Sequence, residues 1–302
     1  MFRTLDEVVE AARGRRWVKI AIAAAQDIDC IEAMKQAREM ELADGIFVGN
    51  GDKITALARE AGYEIPSGQI IHEPDDAEAA RKAIALVREG KADLLMKGKI
   101  KTSALVKAVL DKEHGLRTGR LLSQVIVFQV PGFNRLMIST DAAINIAPTL
   151  AHKVELIRNT VDVAHMLGIE KPNVALLCAL EFPNPDMPAT IDAAALTLMN
   201  RRGQIGGCYV EGPIALDVPL SKFAADRKGI TSPLTENTDI FISPDIEAAN
   251  ILYRAILYFA KGESGGIVVG ARVPLILLSR AETPETKIRS IALGVLAARA
   301  QM

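Results

Sequence analysis

Cysteine is scarce in this 302-residue chain, and its three positions, Cys30, Cys178 and Cys208, show no close metal-ligand spacing and cannot all pair with one another. That excludes a disulfide framework and fits reduced thiols in a cytoplasmic protein. An excess of charge of one sign is missing too: 36 Lys and Arg stand against 37 Asp and Glu, a formal net charge of -1. Without a broad field the chain is not expected to bind nucleic acid or an anionic membrane, so any anion site must come from a few placed cations. No apolar run is long enough to cross a bilayer, since the stretch 251–260 is interrupted by Arg254. The first residues, MFRTLDEVVEAARGRR, read as a short amphipathic helix with acidic residues, unlike a signal peptide, so neither a membrane nor an export segment is expected. His72, His114, His152 and His165 have no paired ligand spacing and no HExxH pattern, which argues against a metal site. There is no Gly-x-Ser-x-Gly elbow, and the cysteines sit as small buried hydrophobes do, so covalent catalysis has no candidate.

What is present is a composition of 49% apolar and 24% charged residues in a chain long enough for two domains. Short Ile- and Val-rich runs predict strands at 17–25, 45–49, 93–98, 124–130, 136–140, 174–179, 239–243 and 266–279, the last broken near Ala271. Between them apolar residues recur at helical spacing: Ala77, Ala80, Ile84, Val87; Val154, Ile157, Val161, Ala164; Ile246, Ala249, Tyr253, Ile256, Leu257; and Ile288, Ile291, Val295. Strands alternating with helices imply an α/β protein with largely parallel sheets covered on both faces. Turn residues at Val130-Pro131-Gly132-Phe133-Asn134 and a break near Gly270 divide it into a discontinuous first domain, 1–135 plus 271–302, and a second domain, 136–270. A ligand is expected in the cleft between them.

Polar groups stand where buried strands end, which is where an α/β protein holds its ligand. Ser279 and Arg280 close the apolar run Val273-Pro274-Leu275-Ile276-Leu277-Leu278 and together suit an anion. Lys97-Gly98-Lys99-Ile100-Lys101-Thr102-Ser103 follows another strand and precedes a helix, joining ammonium groups to a permissive glycine and free amides. It is not a P-loop, and it also reads as solvated lysines on a connecting loop. In Ser139-Thr140-Asp141-Ala142-Ala143-Ile144-Asn145, Asp141 and Asn145 either bind a ligand or bond the nearby backbone. Asp245 reads as a helix cap, Asp217 as a cap more than a ligand, and Asn250, among apolar positions, needs a buried partner.

Taken with LLMKG at 94–98, STDAAINIAP at 139–148, NPDMPATIDA at 184–193, EGPIALD at 211–217, KGI at 228–230, PDIEAANILY at 244–253 and GIVVGARVPLILLSRAET at 266–283, the chain resembles the phosphate acetyl- and butyryltransferases, above all the butyryltransferase branch. The resemblance is dense from about Asp93 onward and looser before it. It implies the reversible reaction acyl-CoA + phosphate = acyl phosphate + CoA, with small-molecule substrates and no metal or redox cofactor. It also implies a fold similar to that of isocitrate and isopropylmalate dehydrogenases, an active site between two domains, and a homo-oligomer.

Such chemistry holds two anionic partners together and stabilises moving charge. Ser279 and Arg280 are then the core of the phosphoryl site, with Lys97 and Ser123 assisting and Thr102 and Asn145 as further candidates. In the acetyltransferase branch an aspartate seven residues after the serine is proposed to deprotonate CoA; here that place is Thr286, and Glu285 is the nearest replacement. The butyryltransferase branch commonly has Ser-His where this chain has Ser123-Gln124. Two other classes stay open on the residues alone. A hydroxy-acid dehydrogenase of related fold needs a nicotinamide, a metal and a carboxylate cluster, which Asp217, Asp239 and Asp245 do not assemble; a catalytically silent CoA- or acyl-phosphate-binding protein needs only the anion site.

Overall fold

The computed structural model describes residues 1–14, 17–278 and 281–301, which form two compact α/β units. The flanking unit is built from Leu5–Leu122 and Gly265–Met302, and the central unit from Met1–Thr4 and Ser123–Ser264. The sequence reading sets the corresponding changes at 135 and 271.

In chain order the flanking unit begins with α1 (Leu5–Ala12), β1 (Val18–Ala23), α2 (Ile28–Glu39), β2 (Ala43–Gly49), α3 (Gly51–Glu60), β3 (Ile70–His72), α4 (Asp76–Arg88), β4 (Leu94–Lys97) and α5 (Thr102–Val109). The central unit follows with β5 (Ser123–Gln129), β6 (Met137–Thr140), α6 (Leu150–Met166), β7 (Asn173–Leu177), α7 (Pro188–Arg201), β8 (Tyr209–Ile214), α8 (Asp217–Leu220), α9 (Lys222–Arg227), β9 (Ile240–Ile242) and α10 (Ile246–Tyr258). The chain then runs through β10 (Glu263–Val269) into β11 (Leu275–Ile276) and α11 (Pro284–Gln301).

Strand β1 reads VKIAIA, and every position but Lys19 is buried, as expected of a strand covered on both faces. It lies between β2 and β4, parallel to both, with Ile20 opposite Gly45 on one side and Leu94 on the other. On the outer side of β2 lies β3, also parallel, and β11 extends the sheet beyond β4 with Ile276 opposite Met96. The carboxyl ends of β1, β2, β3, β4 and β11 therefore share one edge. The run at 266–279 is broken into two strands, as expected near Ala271: Gly270, at φ 99°, turns the chain, and β10 pairs antiparallel with β11. In the central unit β5 pairs antiparallel with β6, and β6, β9, β7 and β8 follow in parallel order.

Helices cover these sheets with their apolar stripes. On α4 the buried positions are Ala79, Ala80, Ala83, Ile84 and Val87, and Asp75 starts the helix by accepting from the amides of Ala77 and Glu78. Burial of a side chain such as Ile84 contributes about 1.5–3 kcal/mol. The α6 and α10 stripes also fall where helical spacing puts them, and Ile288, Ile291 and Val295 of α11 are buried as their spacing predicts. Among the described residues no helix is long and apolar enough to cross a membrane.

Candidate active site

At the carboxyl edge of the flanking sheet, each strand end feeds a helix start. After β1 the chain passes Ala24, in the left-handed region at φ 55°, to Asp27, which caps α2 by accepting from the amide of Asp29 at 3.1 Å. After β2, Asn50 caps α3. After β4 the cap position of α5 is Lys101, which makes no side-chain cap bond among the described residues, while its carbonyl accepts from the amides of Ala104 and Leu105.

The loop between β4 and α5 lies hard against the end of β1. The amides of Gly98 and Lys99 donate to the carbonyls of Ala23 and Ala24 at 2.9 and 2.7 Å. A Cβ on Gly98 would sit 2.2 Å from the Ala24 carbonyl oxygen, so only glycine allows this approach. Lys97 is half-buried, and its ammonium donates to the carbonyls of Gly98 at 3.0 Å and Ile100 at 3.4 Å. Thr102 is the first residue of α5 and half-buried. Lys97 and Thr102 thus belong to one short cationic loop.

Helix α11 borders the same edge. Thr283 caps its start, with Oγ1 accepting from the Thr286 amide at 3.3 Å. Glu285 is exposed in the first turn, and a hydrogen bond from its own amide, assisted by Thr283, holds its carboxyl below the ordinary range. Lys287, buried on the same turn, reaches Asp29 Oδ1 at 2.5 Å. Next to Asp29, Cys30 donates its thiol hydrogen to the Lys97 carbonyl at 3.3 Å. Burial, then the nearby Asp27, pushes that thiol up to about 12. Ser279 and Arg280 lie outside the described residues.

Ser123 and Asn145 belong to the central unit. Ser123 opens β5 fully buried, and its Oγ accepts from Asn159 Nδ2 at 2.7 Å. Thr140 Oγ1 donates to the Gln124 carbonyl at 2.7 Å, tying the end of β6 to the start of β5. Asp141 then accepts from the amides of Ala143, Ile144 and Asn145 and from Asn145 Nδ2 at 2.6 Å. Asp141 and Asn145 are thus engaged in their own turn, as local backbone bonding predicts, and burial still raises the Asp141 carboxyl above its ordinary range. Asn250 finds its partner in the Ala142 carbonyl at 3.1 Å, and Asp245 caps α10. Asp217 is not a cap: it is the first residue of α8 and pairs with Lys228 at 2.8 Å, which lowers its carboxyl.

Two parts of this edge have no place among the sequence candidates. Asp29 has a weak signal, an Asp-Ile-Asp just past a buried strand. Lys287 has almost none, because α11 buries Thr286, Lys287, Arg289 and Ser290 along with its apolar residues and no clean stripe separates them.

The chain is an α/β protein with lysines at the carboxyl edge of one sheet, and comparison with known proteins makes its class specific. Residues 69–295 match the family model described as "Phosphate acetyl/butaryl transferase". The chain is 44% identical to a phosphate butyryltransferase of Clostridium acetobutylicum over 298 residues, 99% of each chain, and 46% identical to a phosphate acetyltransferase of Thermotoga maritima over 292 residues, 97% of this chain and 99% of the relative. The crystal structure of a branched-chain phosphotransacylase from Enterococcus faecalis superimposes with a TM-score of 0.79 at 30% identity, covering 93% of this chain and 99% of that one. The chain belongs to the phosphate acetyl/butyryl transferase family and is an acyltransferase.

Proposed function

We propose that this enzyme exchanges a short-chain acyl group between CoA and inorganic phosphate, with butyryl as the acyl group. The observation that carries this is the 44% identity to a phosphate butyryltransferase over 99% of both chains. In one direction a phosphate oxygen attacks the thioester carbonyl, the C–S bond breaks, and CoA leaves with a proton. In the other, the thiol sulfur attacks the acyl phosphate and phosphate departs.

Arg280 takes the phosphoryl oxygens through its planar, permanently charged fork, and Ser279 donates to the same oxygens or to the developing oxyanion. On the flanking unit Lys97 and Thr102 support an anion through the ammonium and the uncapped start of α5. On the central unit Ser123 and Asn145 are the candidates, and the bonds Ser123 receives from Asn159 and Asn145 donates to Asp141 give both a structural part as well.

A second reading, acetyl as the acyl group, is favoured by the 46% identity to a phosphate acetyltransferase. Two methylenes separate the substrates, about 0.8 kcal/mol each when buried, which one or two side chains can supply. Thiol release from acetyl-, propionyl-, butyryl- and branched acyl-CoA, with and without phosphate, decides both points. The expected result is phosphate-dependent release with the highest kcat/KM for butyryl-CoA; release independent of phosphate removes the reading.

The working form is a cytoplasmic homo-oligomer that needs no metal or redox cofactor. Reduced thiols support the compartment, all three cysteines being free. An apolar hollow of about 330 Å³ on the central unit, lined by Phe128, Phe133, Met137, Leu252 and Phe259 among others, supports association. Light scattering on the purified protein checks it, and a monomer at assay concentration is the opposing result.

A further inference from the structure

We infer that Asp29 is the carboxylate that exchanges a proton with the CoA thiol, and that Lys287 positions it. This rests on the acyl-transfer reading. When CoA attacks an acyl phosphate, the S–C bond forms as the C–O bond to phosphate breaks, and the thiol proton must leave sulfur. Asp29 takes that proton and hands it to the released phosphate or to water. In reverse it returns a proton to the departing thiolate.

Several carboxylates border the carboxyl edge of the flanking sheet, and most are committed. Asp27 is bound to the amide of Asp29 as the cap of α2. Asp76 accepts from Gln26 Nε2 at 2.6 Å. Glu285 is exposed and bound by its own amide and Thr283. Asp29 differs: Oδ1 meets the ammonium of Lys287, Oδ2 accepts no hydrogen bond among the described residues, and a third of the side chain is exposed.

Lys287 explains why that carboxylate is held in place. Its side chain is only 7% exposed, and a buried ammonium needs a counter-charge. The pair joins the first turn of α11 to the first turn of α2. Cys30, the next residue on α2, bonds the carbonyl of Lys97 through its thiol, so the first turn of α2 stands beside the cationic loop proposed to support phosphate. The charged groups around this point are Asp27 at the cap of α2, Lys97 at the end of β4 and Lys287 on α11; Cys30, buried, stays neutral. The ammonium contact at Oδ1 fixes the direction of the carboxylate and leaves Oδ2 toward the exposed side.

The test compares wild type with Asp29→Asn, Asp29→Glu, Lys287→Met and the double variant Asp29→Asn/Lys287→Met, assayed in both directions with butyryl-CoA plus phosphate and butyryl phosphate plus CoA. Asp29→Asn is expected to lower kcat about 100-fold or more, the usual reach of a positioned proton acceptor, with KM little changed and the acidic limb of the pH profile lost. Asp29→Glu restores part of kcat. Lys287→Met is expected to lower kcat with KM little changed, because the carboxylate loses the contact that fixes its direction. The double variant leaves no lone buried charge and carries the test if Asp29→Asn does not fold. Near-normal kcat with an unchanged pH profile in folded Asp29→Asn, or in the double variant, overturns the proposal. Wild type without phosphate-dependent thiol release overturns instead the reading beneath it.

Discussion

Asn159, inside α6, donates its side-chain amide to Ser123 Oγ at the start of β5 across 2.7 Å, and both groups are buried. The sequence presents Ser123 as a phosphate contact, while the structure also gives it the task of satisfying a buried amide. Ser123→Ala removes the acceptor and leaves the amide without it, at a cost of about 1–3 kcal/mol. Urea melts are expected to show that loss and to show it partly recovered when Asn159→Leu is added. A rise in the KM for phosphate in folded Ser123→Ala measures any further part the hydroxyl plays.

Arg280 is expected to behave differently. A charge-assisted bond is worth about 1.5–3 kcal/mol, so Arg280→Ala should lower kcat/KM for phosphate about 10- to 100-fold. Its melting temperature should match wild type within error, because the residue is assigned to substrate rather than to the core. Arg280→Lys should recover little, since an ammonium does not reproduce the bidentate fork. Full activity in folded Arg280→Ala removes the assignment.

Gly98 is the place where packing and the candidate site meet. A methyl there would press on the backbone carbonyls of Ala24 and Ala23 at 2.2 and 2.8 Å, and neither can swing aside as a side chain can. Gly98→Ala is expected to cost about 1–3 kcal/mol through overpacking and to displace the loop that carries Lys97 and Thr102. Activity should therefore fall further than the melt alone predicts. A variant with unchanged melting and kcat would mean that the loop does not need this approach to β1.

How much of this was legible in the chain depends on where each signal resides. Strands β1, β4, β5 and β9 announce themselves because burial on both faces demands continuous apolar runs. Strand β3 does not: its three residues are half-buried or exposed and form no apolar run. Gly212 and Pro213 mask β8, since both argue against a strand interior. The changes between units fall where β5 begins, at Ser123, and within β10, after Ser264. The Lys97 loop was readable because lysines directly follow an apolar strand. Asp29 and Lys287 were not, because 258 positions separate them and only the folded sheet sets α2 beside α11.

Cys30 gives a pH dependence whose sign follows from its surroundings. Burial, with Asp27 adding to it, raises the folded thiol from 9.0 to about 12. A group raised on folding contributes stability that is fully present below its unfolded pKa and is lost as pH rises through the folded value. The window therefore opens near pH 9 and closes near 12, since the unfolded chain ionises this thiol first. Chemical melts of wild type from pH 8 to 11 should show stability falling above about pH 9, and Cys30→Ala, which has no proton to lose, should show a shallower fall from a lower starting value. Cys30 should also react slowly with a thiol reagent at pH 8 until the protein is unfolded, because both the thiolate and access to it are missing. Equal pH slopes for the two proteins, or fast modification of Cys30 in the folded enzyme, would place this thiol in a more open setting than its contact with the Lys97 carbonyl describes.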